Sequence, residues 1–259
     1  MSIDTGIWLA GIAGEAVFVG LLTWKRDYRL LPMFYAYVAW ALIVDCGMLA
    51  LRSASPRLYV PFYFVEVLLD SLLQYCILVE LTWSVLRPFR ASLPRGIVAW
   101  ISIAVAILGA AAWPFAVIPD ISGQAMNWHF LVHLEQTFGI LRVLFFVVLA
   151  AGSQVLSIGW RDRELQVATG LGFFSLASLA GAIMHMHQVY GANFRLVYRF
   201  IAVSYVVSLL YWVVSFALKP APRREFTPQM QGLLLSLAGV ARTHRTELAD
   251  LTAGPVRNR

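Results

Sequence analysis

Charged residues are scarce in this 259-residue chain: Asp, Glu, Lys and Arg together make up 13% of it, about half of the ~25% typical of soluble domains. Only two residues are cysteines, and only two of the 20 basic residues are lysines. Hydrophobic residues make up 60% of the chain, and its mean hydropathy is +0.72. This composition excludes intrinsic disorder, a disulfide scaffold and a soluble enzyme with a membrane anchor attached. It indicates an integral membrane protein.

The two cysteines, Cys46 and Cys76, fall inside apolar runs at different depths. We therefore expect two buried thiols and no disulfide between them. The chain has no Cys-x-x-Cys or Cys-x-x-Cys-His motif, which argues against thiolate metal sites and covalently attached c-type haem.

Seven apolar runs are each long enough to cross about 30 Å of hydrocarbon as a helix. The breaks between them are short and contain charged residues or proline. The predicted spans cover residues 6–24, 31–51, 61–86, 96–118, 129–158, 165–187 and 195–218. We therefore predict an all-α integral membrane protein, with a seven-transmembrane-helix bundle formed by residues 1–218.

The distribution of basic residues predicts the orientation of the bundle. Eleven lysines and arginines lie in the connections on one side, and three lie on the other. The positive-inside rule then places the N-terminus outside and the C-terminus in the cytoplasm. This bias accounts for the formal charge of +6, so we expect no nucleic-acid partner. Short loops favour a multi-pass protein of a bacterial inner membrane.

The only sizeable segment outside the predicted spans is a tail, residues 219–259. Apolar residues recur there at helical spacing, and Thr227-Pro228 is typical of a helix start. We predict an amphipathic helix over residues 228–251. One interpretation is that this helix lies on the inner membrane surface or caps the bundle. The other is that it docks a cytoplasmic or membrane protein partner.

Polar residues inside the spans are concentrated towards the predicted outer side. On the third span Glu66, Asp70, Gln74 and Glu80 share one helical face. Lipid cannot solvate such a stripe, so it must face the bundle interior or a water-filled cavity. It forms either a structural network paired to arginines or a pocket or ion path.

Arg142 lies near the middle of the fifth span, where an unpaired guanidinium is costly. We predict a buried ion pair between Arg142 and Glu15, with Asp70 the other carboxylate at a suitable depth. At the start of the seventh span, Arg195 and Arg199 are four residues apart. They could clamp an anionic carboxylate or phosphate, or they could neutralise nearby carboxylates such as Glu135.

The histidines suggest a second kind of site. His129 and His133 share a helical face at the spacing of two metal ligands, and His185 and His187 end the sixth span on the same side. These four residues could hold a divalent metal or ligate haem. The alternative is that they are ordinary interfacial or core histidines.

Seven helices with these termini invite comparison with rhodopsins, but a retinal Schiff base requires a lysine in the seventh helix. The lysines here, Lys25 and Lys219, lie at predicted helix ends, which excludes retinal. The plan resembles, in topology only, the seven-helix sensor regions that precede bacterial histidine kinases and cyclases. The collar and tail around Arg223-Arg224-Glu225-Phe226 resemble those of uncharacterised bacterial seven-helix membrane proteins.

The sequence offers no nucleophile–base pair and no phosphate-binding loop that would support a catalytic assignment. We therefore predict a non-enzymatic, sensor- or receptor-like module that binds a small polar or anionic ligand, or protons, and signals through its tail to a partner. The predicted outward-facing pocket comprises Asp45, Glu66, Asp70, Gln74, His133, Glu135, His185, Arg195 and Arg199. One alternative is a haem- or metal-binding subunit of a membrane redox complex. Another is a proton- or cation-coupled transporter or channel that uses Glu15, Asp70 and Glu80.

Overall fold

The computed structural model describes residues 3–54, 56–86, 96–116, 126–152, 162–186 and 192–218. Two short 3-10 turns, Asp27–Arg29 and Trp113–Phe115, follow the first and fourth helices. The α-helices are, in order, α1 (Ile3–Lys25), α2 (Pro32–Ala54), α3 (Pro56–Leu86), α4 (Ile97–Ala112), α5 (Met126–Gly152), α6 (Arg163–Met186) and α7 (Ala192–Ala217).

Among the described residues, seven helices are long and apolar enough to cross a bilayer, which agrees in number with the seven predicted spans. Their spanning segments are Ile3–Lys25, Pro32–Leu51, Pro61–Leu86, Ile97–Phe115, His129–Ala151, Arg163–Met184 and Arg195–Ala217. The fourth span is not a single continuous α-helix. Its α-helix ends at Ala112 and continues as a 3-10 turn, because Pro114 has no N–H to donate to the next helical hydrogen bond. The predicted tail helix over 228–251 lies outside the described residues.

Successive helices pack against one another, and α7 completes the arrangement by lying against both α6 and α1. In contrast, within the part of the chain that the structure describes, α4 contacts only α3 and α5 among the α-helices. Because the helices alternate in direction, each end of the bundle holds the first residues of some helices and the last residues of the others. We call the end where α1 begins the N-terminal end, and the end where α7 finishes the C-terminal end.

An aromatic cluster fills the core in the C-terminal half of the bundle. Phe18, Phe34, Trp212 and Phe216 are each no more than 2% exposed, and their ring centroids lie 5.1–6.2 Å apart. The Trp212 indole also donates a hydrogen bond of 3.2 Å to the carbonyl of Gln166. This cluster joins α1, α2 and α7 through the close, edge-to-face and stacked contacts that aromatic rings prefer.

Two cations hold the last carbonyls of α7, an arrangement we call the α7 clamp. Lys25 Nζ donates to the carbonyls of Phe216 at 2.7 Å and Ala217 at 2.5 Å. Arg163 Nη1 donates to Ser215 O at 2.9 Å, and its Nη2 reaches Phe216 O and Leu218 O, both at 3.3 Å. The final carbonyls of a helix lack partners within the helix, and cations there are favoured by the helix dipole.

The Arg163 guanidinium is itself buried and is held from several sides. It lies 3.4 Å from Asp27 Oδ2, donates to Gln166 Oε1 at 3.0 Å and sits 4.3 Å from the centre of the Phe216 ring. These contacts fix the position of the Arg163 guanidinium relative to α6 and to the 3-10 turn that follows α1. The end of α7 is therefore tied to both of its neighbours.

Glu80 has a structural role that the sequence pattern did not indicate. Its Oε1 accepts a hydrogen bond from Met33 N at 2.9 Å, and its Oε2 accepts one from Phe34 N at 3.0 Å. These amides belong to the first turn of α2, where N–H groups have no partner within the helix. A carboxylate from α3 thus caps α2 from outside the helix.

Cys46 and Cys76 are free thiols, as expected. The expectation that both are buried is wrong: Cys46 is exposed on α2, and Cys76 on α3 is only half-buried. An apolar helix in a bilayer has an outward as well as an inward face, and an apolar run alone does not tell which face a residue occupies.

Candidate functional site

A cavity of about 670 Å³ lies at the N-terminal end of the bundle, between α1, α2, α3 and α7. Its volume falls within the range of roughly 300–1,000 Å³ that is usual for small-molecule sites. The wall combines charged, aromatic and apolar side chains. Its residues are Asp4, Ile7, Trp8, Gly11, Asp45, Met48, Tyr63, Glu66, Tyr198, Arg199, Ala202, Tyr205 and Val206.

An ion pair between Asp4 and Arg199 lies on the wall of this cavity. Arg199 Nε is 2.6 Å from Asp4 Oδ1, and its Nη2 is 3.4 Å from Oδ2. The Asp4 side chain is 47% exposed and the Arg199 side chain is 33% exposed, so the pair lies at the solvent-accessible rim of the cavity. Arg195 is exposed and lies within electrostatic range of Asp4. The guanidinium that lines the cavity is therefore already engaged by a carboxylate.

Asp45 and Glu66 carry the other carboxylates of the wall. The Trp8 side chain hydrogen-bonds to Asp45. Glu66 Oε2 is buried and has no hydrogen-bond partner. Neither residue forms an ion pair within the part of the chain that the structure describes. Both are predicted pocket residues, and the structure brings them to one cavity with Arg199.

Glu15 lies behind the cavity wall and is fully buried. The Tyr205 hydroxyl, on a residue of the wall, donates a hydrogen bond to Glu15 Oε1. The other carboxylate oxygen, Oε2, has no partner. A buried acid is thus connected to the cavity through one tyrosine.

The predicted ion pair between Glu15 and Arg142 is not formed in the structure. Their helices, α1 and α5, make no contact with each other over the described residues. Arg142 is 4% exposed, and its Nε and Nη1 have no hydrogen-bond partner. Its guanidinium lies 5.7 Å from the centre of the Phe174 ring. Matching two residues by depth does not show which helices are neighbours, and this is why the pairing fails.

The remaining members of the polar stripe on α3 lie outside the cavity wall. Gln74 donates a hydrogen bond to the Asp70 carboxylate, and Gln74 is only 5% exposed. Asp70 and Glu135 both lie within electrostatic range of Arg142. Asp70 and Gln74 form a polar pair beside Arg142, near the cavity rather than part of its lining, whereas Glu135 is exposed.

Glu135 borders a second, smaller cleft of about 200 Å³ between α5, α6 and α7. Gln136, Gly139 and Ser178 line the same cleft. The predicted pocket residues therefore do not share one site: Asp45, Glu66 and Arg199 line the cavity, Asp70 and Gln74 lie beside Arg142, and Glu135 borders this cleft. Residues that share a depth along their spans are distributed over different faces of the bundle.

His133 contacts the end of the fourth span. Its Nε2 lies 2.8 Å from the carbonyl of Trp113, and the two rings are 4.2 Å apart. Because a carbonyl only accepts hydrogen bonds, Nε2 must carry the proton. The other nitrogen, Nδ1, is buried without a partner. The hydrogen bond joins α5 to the 3-10 turn after α4.

The predicted metal or haem ligands are not assembled by the part of the chain that is described. No group of three or more His, Cys, Asp or Glu residues there could hold a metal ion. His129 and His133 both lie on α5. The side chains of His185 and His187 lie outside the described residues.

The sequence analysis missed the aromatic component of the site and also Asp4. Trp8, Tyr63, Tyr198 and Tyr205 all line the cavity. On α7 the signal was present as a helical stripe, since Tyr198, Ala202 and Tyr205 are spaced four and three residues apart. Comparison with protein-family models, with curated proteins and with solved structures finds no match to this chain.

Proposed function

We propose that the chain is a non-enzymatic, sensor- or receptor-like membrane module that binds a small polar ligand in the N-terminal cavity. The signal passes to a partner through residues 219–259. The observation that carries this proposal is the position of α7, which belongs to the cavity and also leads directly into the tail. At one end it supplies five wall residues: Tyr198, Arg199, Ala202, Tyr205 and Val206.

The other end of α7 is held by the α7 clamp, directly before residue 219. From Tyr205 to Leu218 the helix rises about 20 Å. A closely packed helix moves as a unit because packed interiors do not deform continuously. A ligand that prefers one position of α7 would therefore also change the contacts of the clamp. The required energy comes from the difference in the ligand's affinity for the two positions.

The charge bias of the loops supports an orientation with the N-terminus outside. In this orientation the cavity opens to the exterior of a bacterial inner membrane, and the tail meets its partner in the cytoplasm. The polar wall and the tail then lie on opposite sides of the bilayer, as a module that reports on external ligands requires.

Hydrogen exchange on the protein in lipid nanodiscs tests this proposal. A panel of small amines, carboxylates, phosphates and sugars is screened at several pH values. We expect an active compound to slow exchange in residues 198–206 and to change exchange in residues 209–218 and 228–251. The variant Arg163→Gln breaks the clamp, so it should keep the first effect and lose the change in the tail.

Two results would count against the proposal. Ligand protection restricted to residues 198–206 in the wild-type protein would contradict signalling through α7. No change in any of these segments across the panel would contradict ligand binding in the cavity.

A further inference from the structure

We infer that the cavity selects an organic cation, an amine or quaternary ammonium compound, over an anionic ligand. This inference rests on the proposed function, because it names the chemical class of ligand for the same site. It also chooses between the two interpretations of Arg195 and Arg199 that the sequence left open, favouring neutralisation of carboxylates over the clamping of an anion. The argument uses the charges on the wall, its aromatic rings and its volume.

The charges on the wall favour a positive ligand. Three carboxylates, Asp4, Asp45 and Glu66, and one guanidinium, Arg199, line the cavity. Arg199 is bound by both oxygens of Asp4. Among the described residues of the wall, no cationic side chain is then left to pair with Asp45 and Glu66. An anionic ligand in the cavity would therefore lie close to two unpaired carboxyl groups. Carboxylates within a membrane-spanning bundle are costly unless something positive or a hydrogen-bond donor offsets them.

Two buried carboxyl oxygens at or behind the wall lack a hydrogen-bond partner among the described residues. Glu66 Oε2 has no hydrogen-bond partner. Behind the wall, Glu15 is fully buried and has only the Tyr205 hydroxyl on Oε1, while Oε2 has no partner. Buried polar atoms without partners are uncommon in proteins. Because Glu66 Oε2 and Glu15 are buried, a cation bound in the cavity would act on both carboxyl groups electrostatically through the wall rather than by direct contact.

The aromatic side chains indicate an organic cation rather than a metal ion. Trp8, Tyr63, Tyr198 and Tyr205 all contribute to the wall. Aromatic faces attract ammonium groups through their electron-rich rings, and cages of such rings recognise quaternary ammonium ligands. In addition, no cluster of three potential metal ligands occurs in the described residues. The volume of about 670 Å³ is also far larger than a single metal ion needs.

Three probes of similar shape separate charge from size in a calorimetric titration of the nanodisc-embedded protein. They are benzyltrimethylammonium, the uncharged alcohol dimethyl benzyl carbinol, and the anion phenylacetate. We expect saturable binding of the cation, at least about tenfold tighter than the alcohol, and no measurable binding of phenylacetate. Each tenfold step corresponds to about 1.4 kcal/mol.

Variants locate the binding in the cavity. Glu66→Gln and Asp45→Asn should each weaken the cation about tenfold while leaving the alcohol unchanged, because they remove charge and preserve shape. Trp8→Leu should weaken the cation more than the alcohol by removing an aromatic face. The matched control is Glu164→Gln, an equivalent change at the opposite end of the bundle, where Glu164 accepts a hydrogen bond from Ser84. Thermal unfolding of each variant shows that it is folded.

The outcomes distinguish this inference from the function on which it rests. Binding of phenylacetate in preference to the cation, abolished by Arg199→Gln, overturns the inference and leaves a ligand-binding cavity in place. Cation binding that is equal in wild type, Glu66→Gln and Asp45→Asn also overturns it, since the charge would not matter. Failure of all three probes to bind overturns it as well, and the hydrogen-exchange screen then decides the proposed function separately.

Discussion

The Tyr205 hydroxyl donates a hydrogen bond to the carboxylate of Glu15 and thereby connects the cavity wall on α7 to a fully buried acid on α1. The second oxygen of Glu15 has no partner. Among the described residues, the buried carboxylate therefore depends on this single hydrogen bond. It also ties the wall of the cavity to the packing between α1 and α7.

Replacing Tyr205 with phenylalanine should destabilise the protein by about 1–3 kcal/mol, because it leaves a buried acceptor without its donor. Tyr211→Phe on the same helix is the matched control for the loss of a tyrosine hydroxyl. Combining Tyr205→Phe with Glu15→Leu should recover part of the loss, since the unsatisfied acid is removed together with its donor. Unfolding in detergent with increasing denaturant measures these differences.

If Tyr205→Phe and Tyr211→Phe had equal effects, the bond to Glu15 would contribute nothing specific to stability. If the double variant were less stable than either single variant, the two residues would not act as a pair.

Gly170 makes room for Trp212. A Cβ atom added at Gly170 would overlap Nε1 and Cε2 of the Trp212 indole. The indole is 2% exposed and packed within the aromatic cluster, so it cannot move aside easily. We expect Gly170→Ala to cost about 1–3 kcal/mol through overpacking.

Gly20→Ala is the control for this prediction, because a Cβ atom there meets nothing within 4 Å. It should be neutral or slightly stabilising, as alanine is the better helix former. Denaturant unfolding measures the free energy of unfolding of both variants against that of the wild-type protein. A similar stability for the two alanine variants would contradict the close packing of Trp212 against α6.

The seven spans could be predicted because bilayer thickness fixes the length of each apolar run, irrespective of which helices touch. The contacts between helices could not be predicted in this way. Arg142 and Glu15 match in depth, yet α5 and α1 are not in contact. Periodicity gives the face of a residue on its own helix, but it does not give the neighbour which that face meets.

For the same reason, only part of the candidate site could be predicted from the sequence. Asp45, Glu66 and Arg199 reach one cavity, whereas Glu135 borders a separate cleft. Trp8 gave no signal because aromatic side chains are also common at membrane interfaces. Tyr63 shares the helical face of Glu66 and Asp70, but it was not included in the predicted pocket. Glu80 was grouped with the polar stripe of α3, since an N-cap supplied by another helix leaves no local sequence pattern.

Glu80→Gln should weaken the start of α2 by about 0.5–2 kcal/mol, the usual range for a lost N-cap. The carboxylate accepts from both Met33 N and Phe34 N, whereas the glutamine NH₂ group can only donate. Amide exchange at Met33 and Phe34 should accelerate. The control is Glu164→Gln, because a glutamine oxygen can still accept the 2.7 Å hydrogen bond from Ser84.

The same variant tests the alternative in which Glu80 relays protons or cations. A role confined to capping predicts faster exchange at the start of α2 and unchanged ion flux in proteoliposomes. Loss of a measurable flux in Glu80→Gln with unaltered exchange at Met33 and Phe34 would favour the relay instead.

Arg163→Lys should loosen the end of α7 although the positive charge is kept. The arginine donates through two nitrogens to Ser215, Phe216 and Leu218, and a lysine ammonium is a point charge without this planar fork. We expect a loss of about 1–3 kcal/mol and faster exchange in residues 209–218. Arg195→Lys, at an exposed arginine, controls for the change of residue type and should leave this segment unaltered. Equal exchange in residues 209–218 for wild type and Arg163→Lys would show that charge alone, without the fork, holds the end of α7.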